Sequence, residues 1–405
     1  DNGALLRGYS AGQDVAAGGR AAQPLDSSVL TPTGPKMMGE IAPGDFVIGA
    51  NGKPTKVVSI HPLGQKQAFR VRFSDGSSTE CCDDHLWTVT ERWSRDSRKH
   101  HDPVTKPLRD LRQSLRADRS GQKAWNYQIP MTAPVEFSKT SLKIHPYVLG
   151  CLLGDGCFRH SSPTFTTSDE EMAETIGNLL PPSLSMIRCG EIEYRISTGK
   201  RGHGQVNPVS NALRELSLWM KTSHTKFIPD IYKYAASPED RLELLRGLLD
   251  TDGWVHLRKR KMASAKVCYC SVSRQMVEDV RFVVQSLGGS AGMVSVTQLT
   301  GKKYERTGVI DPKDVIYSLR IAMPNGMNPF KLSRKKNKYV ERSKYQPRRS
   351  IVSVEPSRIT DVQCIRVEAE DGLYLTDDCI VTHNTVFTVD EAGARDFVQG
   401  GKDEA

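Results

Sequence analysis

Apolar residues alternate with polar ones in short runs from about residue 25 onward. Thr33-Gly34, Pro43-Gly44-Asp45 and Asn51-Gly52 divide these runs. That punctuation predicts β-strands joined by tight turns. Residues 67–73 and 86–89 continue the pattern, with Ser74-Asp75-Gly76 as a hairpin turn. Near Pro146 the period changes. Stretches 147–153, 170–180, 209–220, 241–249 and 275–287 carry apolar residues at helical spacing. Strand-like alternation returns at 351–354, 364–368, 373–375 and 380–382. The expected order is β, then α/β, then β: a β domain interrupted by an inserted domain. Insertion of this kind succeeds at exposed loops. The charged stretch 91–123 reads as a solvated loop or surface helix. Lys259-Arg260-Lys261 reads as part of a strand or hairpin, and the basic stretch 331–349 as a linker or phosphate-contacting arm. Residues 1–21 and 385–405 lack a core pattern and read as fragments of something larger.

Composition narrows the class. The chain has 405 residues, 38% hydrophobic and 25% charged, enough for two or three globular domains. It has no apolar run of membrane-spanning length, and its first 20 residues lack the basic start and apolar core of a signal peptide. A net charge of +9 permits nucleic-acid binding without requiring it. Nine scattered cysteines point to free thiols and a reducing, intracellular setting rather than a disulfide framework. Neither Cys81-Cys82 nor Cys268-x-Cys270 has zinc-site spacing.

The end of the last β stretch carries chemistry. In Val381-Thr382-His383-Asn384-Thr385 the Asn384 amide can attack its own carbonyl carbon, closing a succinimide and breaking the bond to Thr385. An acyl group on the Thr385 hydroxyl can pass to the Thr385 nitrogen through a five-membered ring. Both steps are intramolecular, so proximity supplies much of the rate. His383 can protonate the leaving amine or polarise the Asn384 carbonyl. The tripeptide alone is also compatible with an ordinary turn.

The inserted region holds an internal repeat. Val148-Leu-Gly-Cys-Leu-Leu-Gly-Asp-Gly156 and Leu245-Arg-Gly-Leu-Leu-Asp-Thr-Asp-Gly253 are each an apolar helix ending in Asp-Gly. Gly150 and Gly154, like Gly247 and Thr251, lie four apart on one helix face, which lets two helices pack backbone to backbone. Asp155 and Asp252 are then expected to meet. Two carboxylates at helix C-termini are unfavourable alone, and a divalent cation between them removes the penalty. The repeat resembles the LAGLIDADG homing endonucleases over roughly residues 140–335. The resemblance implies Mg²⁺ binding by Asp155 and Asp252 and a long, asymmetric double-stranded DNA target. The Thr225-Lys226-Phe-Ile-Pro-Asp230 segment resembles the one preceding the second motif in members carried by inteins, which implies an auxiliary catalytic role for Lys226. Cys151 and Leu153 depart from the first motif, but its acidic position is kept.

A β domain that ends in His383-Asn384-Thr385 and holds such an endonuclease resembles an intein over nearly the whole chain. Ala22-Gln-Pro-Leu-Asp26 resembles the intein start, Cys82-Asp-Asp-His85 the Thr-x-x-His motif with Cys for Thr, and Asp361-Val-Gln-Cys364 the late strand motif. Ala22 offers no nucleophile. One intein subclass also lacks that nucleophile and carries an internal Cys, a Trp two residues after the motif His, and Thr after the Asn. Cys364, Trp87 and Thr385 match this set. The resemblance implies an all-β splicing domain of the Hint type interrupted by an α/β LAGLIDADG domain. Residues 1–21 are one flank, 22–140 and 344–384 the splicing domain, 141–343 the endonuclease and 385–405 the other flank. Cys364 is expected to attack the Ala21–Ala22 bond, polarised by His85. The acyl group then passes to Thr385, and Asn384 cyclises with help from His383. Trp87 is expected beside Cys364. Splicing needs no cofactor. The partners implied are DNA and the flanking host sequences in cis, with no membrane, in a monomer, in the cytoplasm of a bacterial or phage-infected host. Cys379 is the rival thiol, and Ala21 the rival first residue. Other readings are an endonuclease with splicing lost, a hedgehog-like module that only cleaves, and a non-catalytic DNA-binding protein. The glycine-rich first flank also admits a phosphate loop broken by the insertion.

Overall fold

In the computed structural model, the residues described are 21–91, 102–119, 122–160, 162–199, 207–256, 266–298, 315–341, 346–384 and two short pieces at 388–389 and 395–396. The chain divides into two compact units. One combines Asp1–Thr132 with Arg348–Ala405, and the other is Ala133–Pro347. The expected insertion, 141–343, differs from this division by a few residues at each end.

The first unit is built on two long antiparallel strands, Pro54–Phe73 and Arg349–Val367, one from each side of the insertion. They pair from Ile351 opposite Phe73 to Val367 opposite Val57, with four shifts of register that bend the ribbon. Around them form an eight-stranded sheet and a four-stranded one; the latter runs Ile380–His383, Leu373–Thr376, Ser28–Thr31 and Gly34–Met37. Alternation along these strands fills two apolar clusters, one around Trp87, Phe73 and Val71, the other around Val47, Val57 and Ile365. The charged stretch 91–123 departs from expectation. Its residues 92–101 lie outside the described residues. Val104–Pro107 forms a strand paired with Leu86–Glu91, and the short helix α1, Leu108–Leu111, buries Leu108 and Leu111 completely. Charges on one face of a segment do not prevent its few apolar residues from reaching the core.

The second unit is two copies of one plan. Helix α2, Pro146–Asp155, leads into a four-stranded antiparallel sheet backed by α3, Glu170–Leu179, and α4, Pro208–Glu215. After the short α5, Asp230–Tyr234, helix α6, Pro238–Asp252, leads into a five-stranded sheet backed by α7, Arg274–Ser286. Proline opens α2, α4 and α6, where its missing N–H costs nothing. A capping box between Ser237 and Asp240 fixes the start of α6. Helix α4 stops short of the expected 220, and Ser217 and Met220 take left-handed backbone conformations. The basic stretch 331–349 is not a simple solvated linker: Leu332 is buried, and Ser333–Lys336 forms the short helix α8. Lys259-Arg260-Lys261 lies outside the described residues. No helix among the described residues is long and apolar enough to cross a membrane.

Candidate functional sites

In the first unit the strand Gln23–Pro24 pairs with Arg349–Val367, setting Gln23 opposite Gln363 and Pro24 opposite Val362. Continuing that register brings Ala22 to Cys364. The two residues share a buried cluster with Cys82 and Val362, and both have zero exposure. Ala21 is equally buried, so the Ala21–Ala22 bond is shielded from water. The Cys82 N–H donates to the Ala22 carbonyl at 3.0 Å, so a backbone group of the Cys-x-x-His segment holds Ala22 in place. Burial raises the Cys82 thiol pKa.

His85 links the two ends of this domain. Its ring is wholly buried, its Nε2 meets the Thr382 hydroxyl at 2.5 Å, and the Ala22 and Ala21 backbones lie against it. Burial, reinforced by His383, lowers its pKa to about 3, so the resting imidazole is neutral. Trp87 is buried beside this histidine. Its ring stands edge-on to His85 with centroids 5.3 Å apart and lies tilted against Phe73 at 5.7 Å. It belongs to a cluster containing Cys81, and Cys364 belongs to another. Strand pleating explains this: Cys81 and Cys82 point to opposite faces, Cys81 toward Trp87 and Cys82 toward Cys364. The structure thus brings Trp87 against His85.

At the end of the last strand, His383 and Asn384 are both buried. The His383 Nδ1–H donates to the carbonyl of Asn384, the carbon that cyclisation must attack. Burial lowers the His383 pKa, so this is the neutral tautomer protonated at Nδ1. Thr385 lies outside the described residues. Cys379 is buried in a turn before the last strand, at φ 52°, and is absent from the cluster around Ala22. Sequence reasoning missed the group that fixes this turn. The Arg349 guanidinium, 1% exposed, bonds the Asp75 carboxylate at 2.8 Å, the Cys379 carbonyl at 2.9 Å and the Asp378 carbonyl at 3.1 Å. Arg349 holds the Asp75 carboxyl below its usual pKa despite burial.

In the second unit α2 and α6 touch backbone to backbone. A Cβ on Gly150 would stand 3.0 Å from Gly247 Cα and closer still to the Leu244 carbonyl oxygen. One on Gly154 would strike the Thr251 side chain. The expected small-residue contacts are therefore made. Gly156 and Gly253 follow the aspartates with φ near −86° and −100°, so no left-handed turn requires them. A Cβ there would collide with the carbonyl of Leu152 or Leu249.

Asp155 and Asp252 end the two helices. The Asp252 carboxyl pKa is raised to about 7, first by desolvation and then by the negative charge of Asp155. Desolvation also raises that of Asp155, against the pull of Lys226 and Lys335. Lys226 is 5% exposed, and its Nζ donates to the carbonyls of Leu152, Gly154 and Gly156 at 3.0, 3.2 and 2.7 Å. It caps α2 at its negative end. Its counterpart, which sequence reasoning missed, is Lys335 on α8. Lys335 is 8% exposed and donates to Leu249, Asp250 and Gly253 at 2.8, 2.6 and 2.6 Å, capping α6. Burial lowers both lysines to about 8. Asp250 sets the Lys335 segment in place, accepting from the backbone N–H groups of Lys331 at 3.1 Å and Leu332 at 3.0 Å. The signal in the sequence was the symmetry: each Asp-Gly motif is followed, some 70–85 residues on, by a lysine. Two converging carboxylates with buried cations behind them suit a hard divalent ion that keeps several waters. No group of three or more His, Cys, Asp or Glu suited to a metal occurs among the described residues.

Residues 239–316 match the family described as the LAGLIDADG-like domain. That segment lies within the unit inserted in a β domain whose two halves meet at Ala22, Cys364, His85 and Asn384. The chain is an intein carrying a homing endonuclease domain. Over 384 residues, 90% of this chain, the intein is 26% identical to the replicative DNA helicase DnaB of Mycobacterium intracellulare and spans 59% of that protein. It is similar to the Msm DnaB1 intein splicing domain bound with zinc, at 26% identity over 26% of this chain and 73% of that one, with a TM-score of 0.19. It is also similar to the homing endonuclease I-WcaI bound to its DNA recognition sequence, at 15% identity over 51% and 89%, with a TM-score of 0.28. Overlaps this small do not define the fold, which rests on the strand pairing and helix contacts described above.

Proposed function

We propose that this intein excises residues 22–384 and joins 1–21 to 385–405, starting from Cys364. The observation that carries this reading is the buried contact cluster of Ala22, Cys82, Val362 and Cys364. The Cys364 sulfur attacks the Ala21 carbonyl carbon, the bond to the Ala22 nitrogen breaks, and that nitrogen gains the proton that the thiol loses. His85, lying against this junction, moves the proton. Its low proton affinity suits it to give a proton up rapidly. Trp87 fixes the His85 ring by edge contact. The acyl group passes to the Thr385 hydroxyl. Asn384 then cyclises while His383 polarises its carbonyl, and an oxygen-to-nitrogen shift completes the Ala21–Thr385 bond.

The inserted unit cuts double-stranded DNA at a long, asymmetric site in this reading. Asp155 and Asp252 would hold Mg²⁺, which supplies charge stabilisation at a phosphate oxygen and an activated water. Lys226 and Lys335 hold both helix ends in register and offset the paired negative charges. The host is a replicative helicase of the DnaB type in a bacterial cytoplasm, and the chain acts as a monomer. The test is intact-mass spectrometry after expression in a reducing bacterial cytosol, beside Cys364→Ala. The expected products are the fragment 22–384 and a joined flank peptide, with the first junction intact in the variant. A chain that stays whole, or that splices equally without Cys364, overturns the mechanism.

A further inference from the structure

Asn384 has to hold its amide nitrogen against its own carbonyl carbon. His383 engages the carbonyl of Asn384, not its side-chain amide. The amide is satisfied in one orientation, with Nδ2 donating to the Gly372 carbonyl at 3.2 Å and Oδ1 accepting from the Val367 N–H at 3.0 Å. The Asn384 backbone N–H donates to the same Gly372 carbonyl at 2.8 Å. One carbonyl thus holds both nitrogens of the residue. Gly372 has φ +62°. A Cβ on it would stand 3.2 Å from Asn384 Cγ and 3.3 Å from His383 Cε1, and closer still to the outer end of the amide.

We propose that Gly372 and the Val367 N–H form a backbone cradle that positions the Asn384 amide for cyclisation. Both are positioning residues, and the inference rests on the splicing reading above. In the step, Nδ2 loses a proton and bonds to the Asn384 carbonyl carbon. The bond from that carbon to the Thr385 nitrogen breaks, and that nitrogen takes up a proton, so no water is consumed. As Nδ2 gives up its proton, negative charge spreads to Oδ1, where the Val367 N–H is already aimed. The Gly372 carbonyl keeps Nδ2 on the side facing its target. An aspartate at 384 would turn an oxygen toward that carbonyl, so the cradle also selects an amide.

The experiment compares Gly372→Ala with Gly64→Ala in the full chain. Gly64 has nearly the same backbone, φ +66°, but no atom within 4 Å of a built Cβ. It therefore reports the conformational cost without the collision. Two products are followed by mass and gel: the branched ester or thioester formed at the first junction, and the fragment released by cyclisation. The expected result is that Gly372→Ala forms the branch at the parent rate and cyclises about a hundredfold more slowly, the scale of a misplaced reacting group, whereas Gly64→Ala changes neither. Replacing the Val367 amide by an ester through semisynthesis slows cyclisation in the same selective way. Equal cyclisation in Gly372→Ala and Gly64→Ala, or an unaffected ester variant, overturns the cradle. If the parent chain forms neither product, the splicing reading has failed instead.

Discussion

Replacing Gly150 by alanine tests the helix pairing at the centre of the endonuclease unit. The added Cβ would lie 3.0 Å from Gly247 Cα and 3.0 Å from Leu248 N, and nearer still to the Leu244 carbonyl oxygen. All three are backbone atoms of α6, which cannot rotate away as a side chain does. Overpacking of this kind costs about 1–3 kcal/mol, and the rigid partner argues for the upper end. Alanine recovers about 1 kcal/mol through its helix propensity. The net loss is therefore about 2 kcal/mol. Gly177, within α3, provides the contrast: its Cβ would meet only Met186 Cγ, at 3.8 Å. There the propensity term acts alone, and alanine should stabilise by roughly 1 kcal/mol. The two substitutions thus have opposite signs and differ by about 3 kcal/mol. Scanning calorimetry on the full chain, held unspliced by Cys364→Ala and Asn384→Ala, reads this out. For a unit of about 200 residues the Tm should fall by roughly 4–8 °C in Gly150→Ala and rise by roughly 2–4 °C in Gly177→Ala. DNA cleavage should drop in the first and persist in the second, because the Asp155–Asp252 spacing depends on helix contact. Equal or higher stability of Gly150→Ala relative to Gly177→Ala would refute the close-packing argument.

The other predictions concern buried charge. Arg349→Met removes the ion pair to the Asp75 carboxylate and the guanidinium's hydrogen bonds to the carbonyls of Asp378 and Cys379. Urea denaturation should show a loss of about 3–5 kcal/mol, part of which returns when Asp75→Asn is added. At the nuclease centre the Asp252 pKa is raised to about 7, so without a divalent ion this group lowers stability as pH rises from about 4 toward 7. Lys226 and Lys335, lowered to about 8, remove stability as pH falls from about 10.5 toward 8. With Asp252 as a ligand, a bound cation would displace its proton, so Mg²⁺ affinity measured by calorimetric titration should rise up to about tenfold per pH unit below 7 and level off above it. A pH-independent affinity between 6 and 7 would show that Asp252 is not a ligand.

The candidate site residues could be named from the sequence because each sits in a short motif whose spacing is itself the signal. The two Asp-Gly motifs with small residues four apart carried the helix pairing, and the structure makes those contacts. His383 before Asn384 carried the polarised carbonyl. The strand and helix segments were readable because apolar periodicity reports the buried face of each element. Residues 104–111 were misread, because a charged composition hid the two leucines that reach the core. The basic stretch after 330 was misread similarly: Lys335 has the composition of a surface lysine and the position of a helix cap.

By itself the sequence determined the kinds of chemistry available, namely a thiol, an amide next to a histidine, and paired carboxylates at helix ends. It also determined the local elements that carry them. Only the tertiary structure decided which groups meet. Cys81 and Cys82 are adjacent in the chain, yet the pleat sends one to Trp87 and the other to Ala22 and Cys364. Gly372 and Val367 act on Asn384 through backbone groups that any residue possesses, so side-chain identity carries almost no trace of the hydrogen bonds they make. Arg349 and Asp75 lie on opposite sides of the insertion and become partners only when the two long strands pair. Local pattern is written residue by residue, whereas contact between distant segments depends on strand register and helix packing, which follow from the simultaneous burial of many side chains.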